Sequence, residues 1–353
     1  MTRVLAQGLL LALAGFLIVH GLVGAQFAPK NLATLFTWVH YRGLLVLVLL
    51  LAGNYFCSAC PMVLTRNIAR RFISPRFNWP ARWQRKWPAL VLFVAVLFAY
   101  EALDLWASPS ATALLLLLPF VLILLVDLLF KKASFCKYVC PIGQFNFVAS
   151  TLSPQEVRVV DPEVCQRCTT YECLRGNAQR KVAGKLGCEL DLFLPQKVGN
   201  LDCTFCFECV AACPYDNVAL ATRTPGLELL SPRPRAGIGR IIRRPDILWL
   251  MLVFVMGALL NALGMVAPAY QLQELVGEWT GLTLLFGLFL GVFPALILRS
   301  FPKSLVPTLL PVGFGVWLAH YGFHLFTGAF TFVPILQVLL GLEASFPVRW
   351  MGL

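Results

Sequence analysis

Charge is what this chain has least of. Only 13% of its 353 residues are Asp, Glu, Lys or Arg, against about a quarter in an average soluble domain. With 59% hydrophobic residues and a mean hydropathy of +0.76, that scarcity excludes a soluble enzyme, and so much apolar sequence excludes a disordered chain. Acidic residues are the scarcer sign, 17 against 29 basic. The six methionines form no Met-rich run of the kind that passes copper. Histidine occurs four times, which limits any imidazole ligand set. No pairing of carboxylates, and no nucleophile with an adjacent base, marks a substrate pocket. Cysteine, by contrast, occurs twelve times.

Apolar runs long enough to cross a bilayer fall at 4–24, 42–57, 89–107, 111–130, 247–267, 281–299 and 304–327, given about 20 residues for roughly 30 Å of hydrocarbon. The stretch 330–343 reads either as an eighth span or as a helix lying on the surface. The fold class is therefore an α-helical integral membrane protein of seven or eight spans. Residues 1–130 form a first membrane block of four helices, 131–246 an inserted, polar, cysteine-rich domain, and 247–353 a second membrane block of three or four helices. Residues 1–24 read as a retained anchor, because the apolar run exceeds a typical signal-peptide core.

Lysine and arginine orient the bundle. With residue 1 in the cytoplasm, the inner side receives Arg3, seven basic residues in 57–88, sixteen in 131–246, and Arg299 with Lys303. The outer loops hold Lys30 and Arg42. The cysteine domain is thus expected on the cytoplasmic side of a bacterial inner membrane. Sorted this way, the basic residues follow the membrane surface and give no reason to expect nucleic acid.

The cysteines carry the chemistry. Cys203, Cys206, Cys209 and Cys213, followed by Pro214, form a C-x2-C-x2-C-x3-C-P run, the spacing of bacterial iron–sulfur ferredoxins, in which the fourth cysteine serves the other cluster. A disulfide set suits a reducing compartment poorly, and four-cysteine zinc sites, the alternative, normally separate their pairs by a longer loop. Upstream, Cys165, Cys168 and Cys173 resemble a second half with altered spacing. If the halves exchange fourth ligands, Cys165, Cys168, Cys173 and Cys213 hold one [4Fe-4S] cluster. Cys203, Cys206 and Cys209 hold the other, with Cys188 either its fourth ligand or a bland buried thiol. Cys57-x2-Cys60-Pro61 and Cys136-x3-Cys140-Pro141 follow the second and fourth spans. Four thiolates there make a third iron–sulfur cluster the expectation.

These Cys-Pro motifs after membrane helices, beside the run Cys203–Pro214, resemble the NapH/NosR/CcoG group of membrane polyferredoxins over about residues 40–246. The block after residue 246 is more similar to FesM-type members. In that group two Cys-x3-Cys-Pro motifs flank a four-helix core with two [4Fe-4S] clusters at the inner face. The resemblance implies electron transfer between the quinol pool, or a cytoplasmic donor, and a periplasmic partner such as a c-type cytochrome or reductase, including as one subunit of a quinol oxidoreductase complex. This sequence departs from the pattern in three ways: Cys57 and Cys60 are two residues apart, the first ferredoxin half lacks its Cys-Pro, and extra spans follow residue 246.

Topology puts all four histidines in the outer half. At about 1.5 Å per residue, His20 lies roughly 24 Å up the first span; His40 begins the second; His320 and His324 lie one turn apart near the outer end of the seventh. Each alone suits a hydrogen bond to a neighbouring helix. Together they suggest haem b ligation, since an electron leaving the inner face needs a stepping stone and imidazoles hold haem iron; copper is the alternative use. Glu101 and Asp104 read as interfacial residues beside Trp106, or as acceptors of protons from a bound quinol. Asp127 is expected to pair with Lys131 or Lys132. The expectation as a whole is a membrane redox relay. Its alternatives are a CcoG-like metal reductase or assembly factor for a respiratory enzyme, and a redox-sensing membrane protein.

Overall fold

Helices with satisfied backbones are what a lipid environment permits, and the chain is built from them. The computed structural model describes residues 2–177, 179 and 186–342. Among the described residues, six helices are long and apolar enough to cross a membrane: Arg3–Val23, Leu32–Leu51, Pro109–Leu129, Pro245–Leu263, Glu278–Ser300 and Lys303–Gly328. A seventh apolar helix, Trp87–Ala102, has 16 residues. Local chemistry sets the starts. The Ser108 hydroxyl accepts from Ala111 N ahead of Pro109, and Asn31 Oδ1 accepts from Ala33 N at 2.9 Å, both N-cap arrangements.

Several boundaries differ from the sequence reading; the third span, for one, ends at Ala102 and not at residue 107. The second span begins at Leu32 and not at residue 42, and it ends at Leu51, ahead of Cys57. Its first part contains a π-helical turn, Leu35–Tyr41, and polar residues that break a hydropathy pattern without breaking the helix. Arg42 is one of them. It lies inside the span and not in an outer loop, its guanidinium packed on the rings of Trp38, Tyr100 and Tyr321 at 4.6–5.0 Å. His40 is likewise a buried residue within the helix. Near the C-terminal end the helix is Val333–Leu339, seven residues and so about 10 Å, which rules out an eighth span there; residue 343 lies outside the described residues.

Pro245–Leu263 is the central helix, buried along most of its length and packed against Lys303–Gly328 and Trp87–Ala102. Trp317, fully buried, donates its Nε1 to Phe254 O at 3.0 Å. The apolar helices approach closely through small residues, as expected where no hydrophobic drive acts between helices in lipid. A Cβ on Gly43 would sit 2.4 Å from Leu325 Cβ, and one on Gly21 2.7 Å from Ala113 Cβ. Between the membrane blocks, strands Gln155–Val159 and Val218–Thr222 pair antiparallel, Gln155 opposite Thr222. Val157, Leu194 and Val218 form a small core with Cys209 and Cys213.

Buried ion pairs tie this domain to the bundle. Arg66 holds Asp127 at 3.2 Å and Glu189 at 2.6 Å, and Lys86 holds Asp202 at 2.6 Å. Asp127 also accepts from Phe135 N at 2.7 Å, so it is not the partner of Lys131 or Lys132. Lys132 pairs with Asp191 instead. Asp127 is fully buried, its carboxylate meeting the Arg66 guanidinium and the Phe135 N–H while Arg70 holds its backbone carbonyl.

Replacing Gly43 by Leu is expected to force the second and last spans apart, at a cost of about 1–3 kcal/mol. The readout is a lower unfolding midpoint in detergent; an unchanged midpoint would show that the helices do not meet there.

Candidate iron–sulfur centres

All twelve cysteines are free thiols, and three sets of four emerge from their surroundings. The Cys-Pro pairs act at helix starts. Cys60 and Cys140 stand at N-cap positions with Pro61 and Pro141 following, each opening a nine-residue helix. The unsatisfied N–H groups of a helix N-terminus favour a thiolate, and Gly143 N donates to Cys140 Sγ at 3.2 Å. The helix Pro141–Ala149 is buried within the bundle, Phe145 packing on Phe254 and Trp317, so this site is anchored to the helix bundle. Asn146 on the same helix donates Nδ2 to Cys57 Sγ at 3.4 Å. Burial pushes the Cys57 thiol up to about 12, with Cys60 and Cys203 adding to it and Asn146 and Asn54 opposing. Cys136 is also raised, by burial and by Asp127, Cys140 and Cys60, against Arg66. These four thiols therefore share one neighbourhood.

The extramembrane domain holds the other two sets. Asn217 joins Cys213 to Cys165, its N donating to Cys213 Sγ and its Nδ2 to Cys165 Sγ, both at 3.4 Å. Cys173 belongs with them: burial and the thiols of Cys165, Cys213 and Cys168 push it up to about 11. Cys168 is the exception. Burial raises it slightly, but hydrogen bonds from Tyr171 and Thr170 leave it below the ordinary thiol value. The second set lines one cavity, Cys188, Cys203, Cys206 and Cys209 with Phe205 and Leu192 among its walls. Leu192 N donates to Cys188 Sγ at 3.4 Å, and burial with Cys206 and Cys203 pushes Cys188 up to about 12. The run Cys203–Cys209 wraps this cavity through left-handed backbone at Asp202, Phe205 and Phe207, which costs non-glycine residues energy and persists where the surroundings hold it. The two halves echo each other: Tyr171 and Phe207, both left-handed, each precede a Glu-Cys pair that opens a short helix.

The residues fit iron–sulfur ligation better than a lone metal ion. A tetrahedral zinc wants four ligands about 2.3 Å away, yet among the described residues no three His, Cys, Asp or Glu side chains could share one ion. Clustered thiols, with N–H donors on Cys57, Cys140, Cys165, Cys188 and Cys213, suit a larger anionic cluster that displaces their protons.

The histidines do not converge in this way. His320 and His324 are neighbours with ring centroids 5.0 Å apart. Sharing one helix face, they cannot take opposite faces of a single macrocycle. Both ring nitrogens of His40 lie against backbone carbonyls, Leu35 O at 3.1 Å and Ala329 O at 3.2 Å. His20 Nδ1 is buried without a hydrogen-bond partner. Glu101 accepts from Asn261 Nδ2 at 3.3 Å. The residues the sequence did not single out are the supporting ones, Arg3, Asn54, Arg66, Lys86, Asn146 and Asn217; nothing in a Cys-x-x-Cys pattern points to a side chain far along the chain.

A family model described as a 4Fe-4S binding domain matches residues 34–80 and 112–150, the segments that carry the two helix-start cysteine pairs. The putative electron transport protein YccM of Escherichia coli is 29% identical over 158 residues, which is 45% of this chain and 38% of that protein. The ferredoxin-type protein NapH of the same organism is 26% identical over 197 residues, 50% of this chain and 65% of NapH. An uncharacterized protein of Methanocaldococcus jannaschii is 24% identical over 223 residues, 59% of this chain and 77% of that protein. The chain thus spans less than two thirds of the first and of NapH. No solved structure matches it. At this low identity the matches support a membrane polyferredoxin of the NapH type.

In protein stripped of metal, iodoacetamide at pH 8 should alkylate Cys168 well ahead of Cys188. A lowered thiol value leaves more thiolate at that pH, and a value near 12 leaves almost none. Equal rates measured by peptide mass spectrometry would contradict the assignment of their environments.

Proposed function

We propose that this chain, as a polyferredoxin of the NapH type, relays electrons between a cytoplasmic donor or the quinone pool and a periplasmic redox partner such as a c-type cytochrome or reductase. Three [4Fe-4S] clusters are assigned to Cys165, Cys168, Cys173 and Cys213; to Cys188, Cys203, Cys206 and Cys209; and to Cys57, Cys60, Cys136 and Cys140. Such clusters carry one electron at a time, at potentials set by hydrogen bonds, charge and burial. The observation that carries the reading is the continuity of the sets. Cys188 N bonds Cys173 O at 3.0 Å, linking the first to the second. Asn54 Nδ2 bonds Cys203 O at 3.0 Å, linking the second to the helix-start set. Cys168 keeps a thiol value below the ordinary one, while burial raises Cys57 and Cys140, which supports an order from solvent to membrane.

The basic residues around 57–88 and 131–246 support a cytoplasmic position for the extramembrane domain in the inner membrane. For a haem on the far side, His20 with its unpartnered Nδ1 is favoured over His40, whose nitrogens are engaged. A reduced-minus-oxidised spectrum without a b-type α band removes the haem and leaves the clusters.

Anaerobically purified protein is expected to hold about twelve irons and twelve sulfides per chain, three cubanes' worth. Cys188→Ser and Cys140→Ser should each lose about four irons and different parts of the dithionite-reduced EPR spectrum. Zinc in place of iron, or an EPR-silent reduced protein, would overturn the relay.

A further inference from the structure

The second and third cysteine sets are joined by a residue that belongs to neither. Arg3 opens the first membrane helix, and its guanidinium reaches two loops more than fifty residues away. Nε donates to Ser58 O at 3.1 Å, between Cys57 and Cys60. Nη1 donates to Cys206 O at 3.2 Å and to Glu208 Oε1 at 2.9 Å. One turn along the helix, Gln7 is buried and donates Nε2 to the same Ser58 carbonyl at 3.0 Å. The loop that follows the second span is thus fixed from one side by the first helix. It is fixed from the other by the ferredoxin run: Gly53, at φ +106°, leaves no room for a side chain, since a Cβ there would lie 2.7 Å from the Phe205 ring. Only glycine adopts such a backbone freely.

We infer that Arg3 is a positioning residue for the electron passing between the helix-start set and the Cys188–Cys209 set, fixing their separation and lending both its positive charge. The inference rests on the relay reading. The step it serves moves one electron from the reduced set to its oxidised neighbour, with no bond made or broken. Arginine suits the task because its planar fork holds several acceptors in fixed directions, which a lysine ammonium on a flexible stem does not. Its charge stabilises the reduced, more negative form of a nearby centre and so raises the potential. The Arg3–Glu208 pair is only partly exposed, 27% and 16%, so salt screens it incompletely.

The test uses the full-length protein, purified anaerobically, as wild type, Arg3→Gln, Arg3→Lys and Arg299→Gln. Iron and sulfide content, EPR-monitored potentiometric titration and the magnetic interaction between reduced centres are measured on each. Arg3→Gln is expected to keep its iron while two of the three midpoint potentials fall by on the order of 59 mV, a tenfold change for one electron, and the interaction weakens. Arg3→Lys should recover the potentials but not the interaction. Arg299→Gln should change neither. Wild-type potentials and interaction in both Arg3 variants would overturn the inference. If Arg3→Gln loses its iron, Arg3→Lys decides: a weakened interaction supports the assignment and an unchanged one overturns it. A wild type without iron–sulfur signals would defeat the relay reading itself, and this inference with it.

Discussion

Sulfur atoms have to leave water together at one end of a helical bundle, and everything else in this protein answers to that. A buried thiol resists ionisation, and neighbouring thiolates resist it further. The chain meets the cost with donors and cations aimed at the sulfurs: helix N-termini at Cys60 and Cys140, amides from Asn146 and Asn217, and the guanidiniums of Arg66 and Arg3 beside the helix-start loops. An apoprotein with these sites is poorly satisfied; cations that take the place of the thiol protons relieve it.

The same cations join the two halves of the molecule. Arg66 reaches Asp127 inside the bundle and Glu189 in the inserted domain, and Lys86 reaches Asp202 directly before Cys203. Buried ion pairs contribute little net stability, but removing one partner leaves a buried charge and costs about 3–5 kcal/mol. Their role here is therefore specificity of docking. They fix the cysteine-rich segment to the bundle at Glu189 and Asp202.

Much of this was legible in the residue order. Long apolar runs gave most of the helices, because a bilayer rewards an uninterrupted apolar stretch whatever its neighbours do. Local spacing gave the run Cys203–Cys213, because one tight loop dictates it. The second span was misplaced because Arg42 and His40 look like a boundary in a hydropathy pattern; their aromatic and carbonyl partners come from distant helices and keep them inside. Asp127 was paired with the nearest lysines along the chain, whereas burial turns it toward Arg66. Cys188 had no motif around it at all.

Residues close together along the chain already specify a helical membrane protein and thiols in iron–sulfur spacing, since each depends only on local order. Which thiols share a neighbourhood, which asparagines and arginines face them, and how the two membrane blocks clasp the domain were decided by tertiary structure alone. Those relations join residues up to about two hundred positions apart, as Arg3 and Cys206 are, and no local pattern encodes a contact that only the folded chain closes.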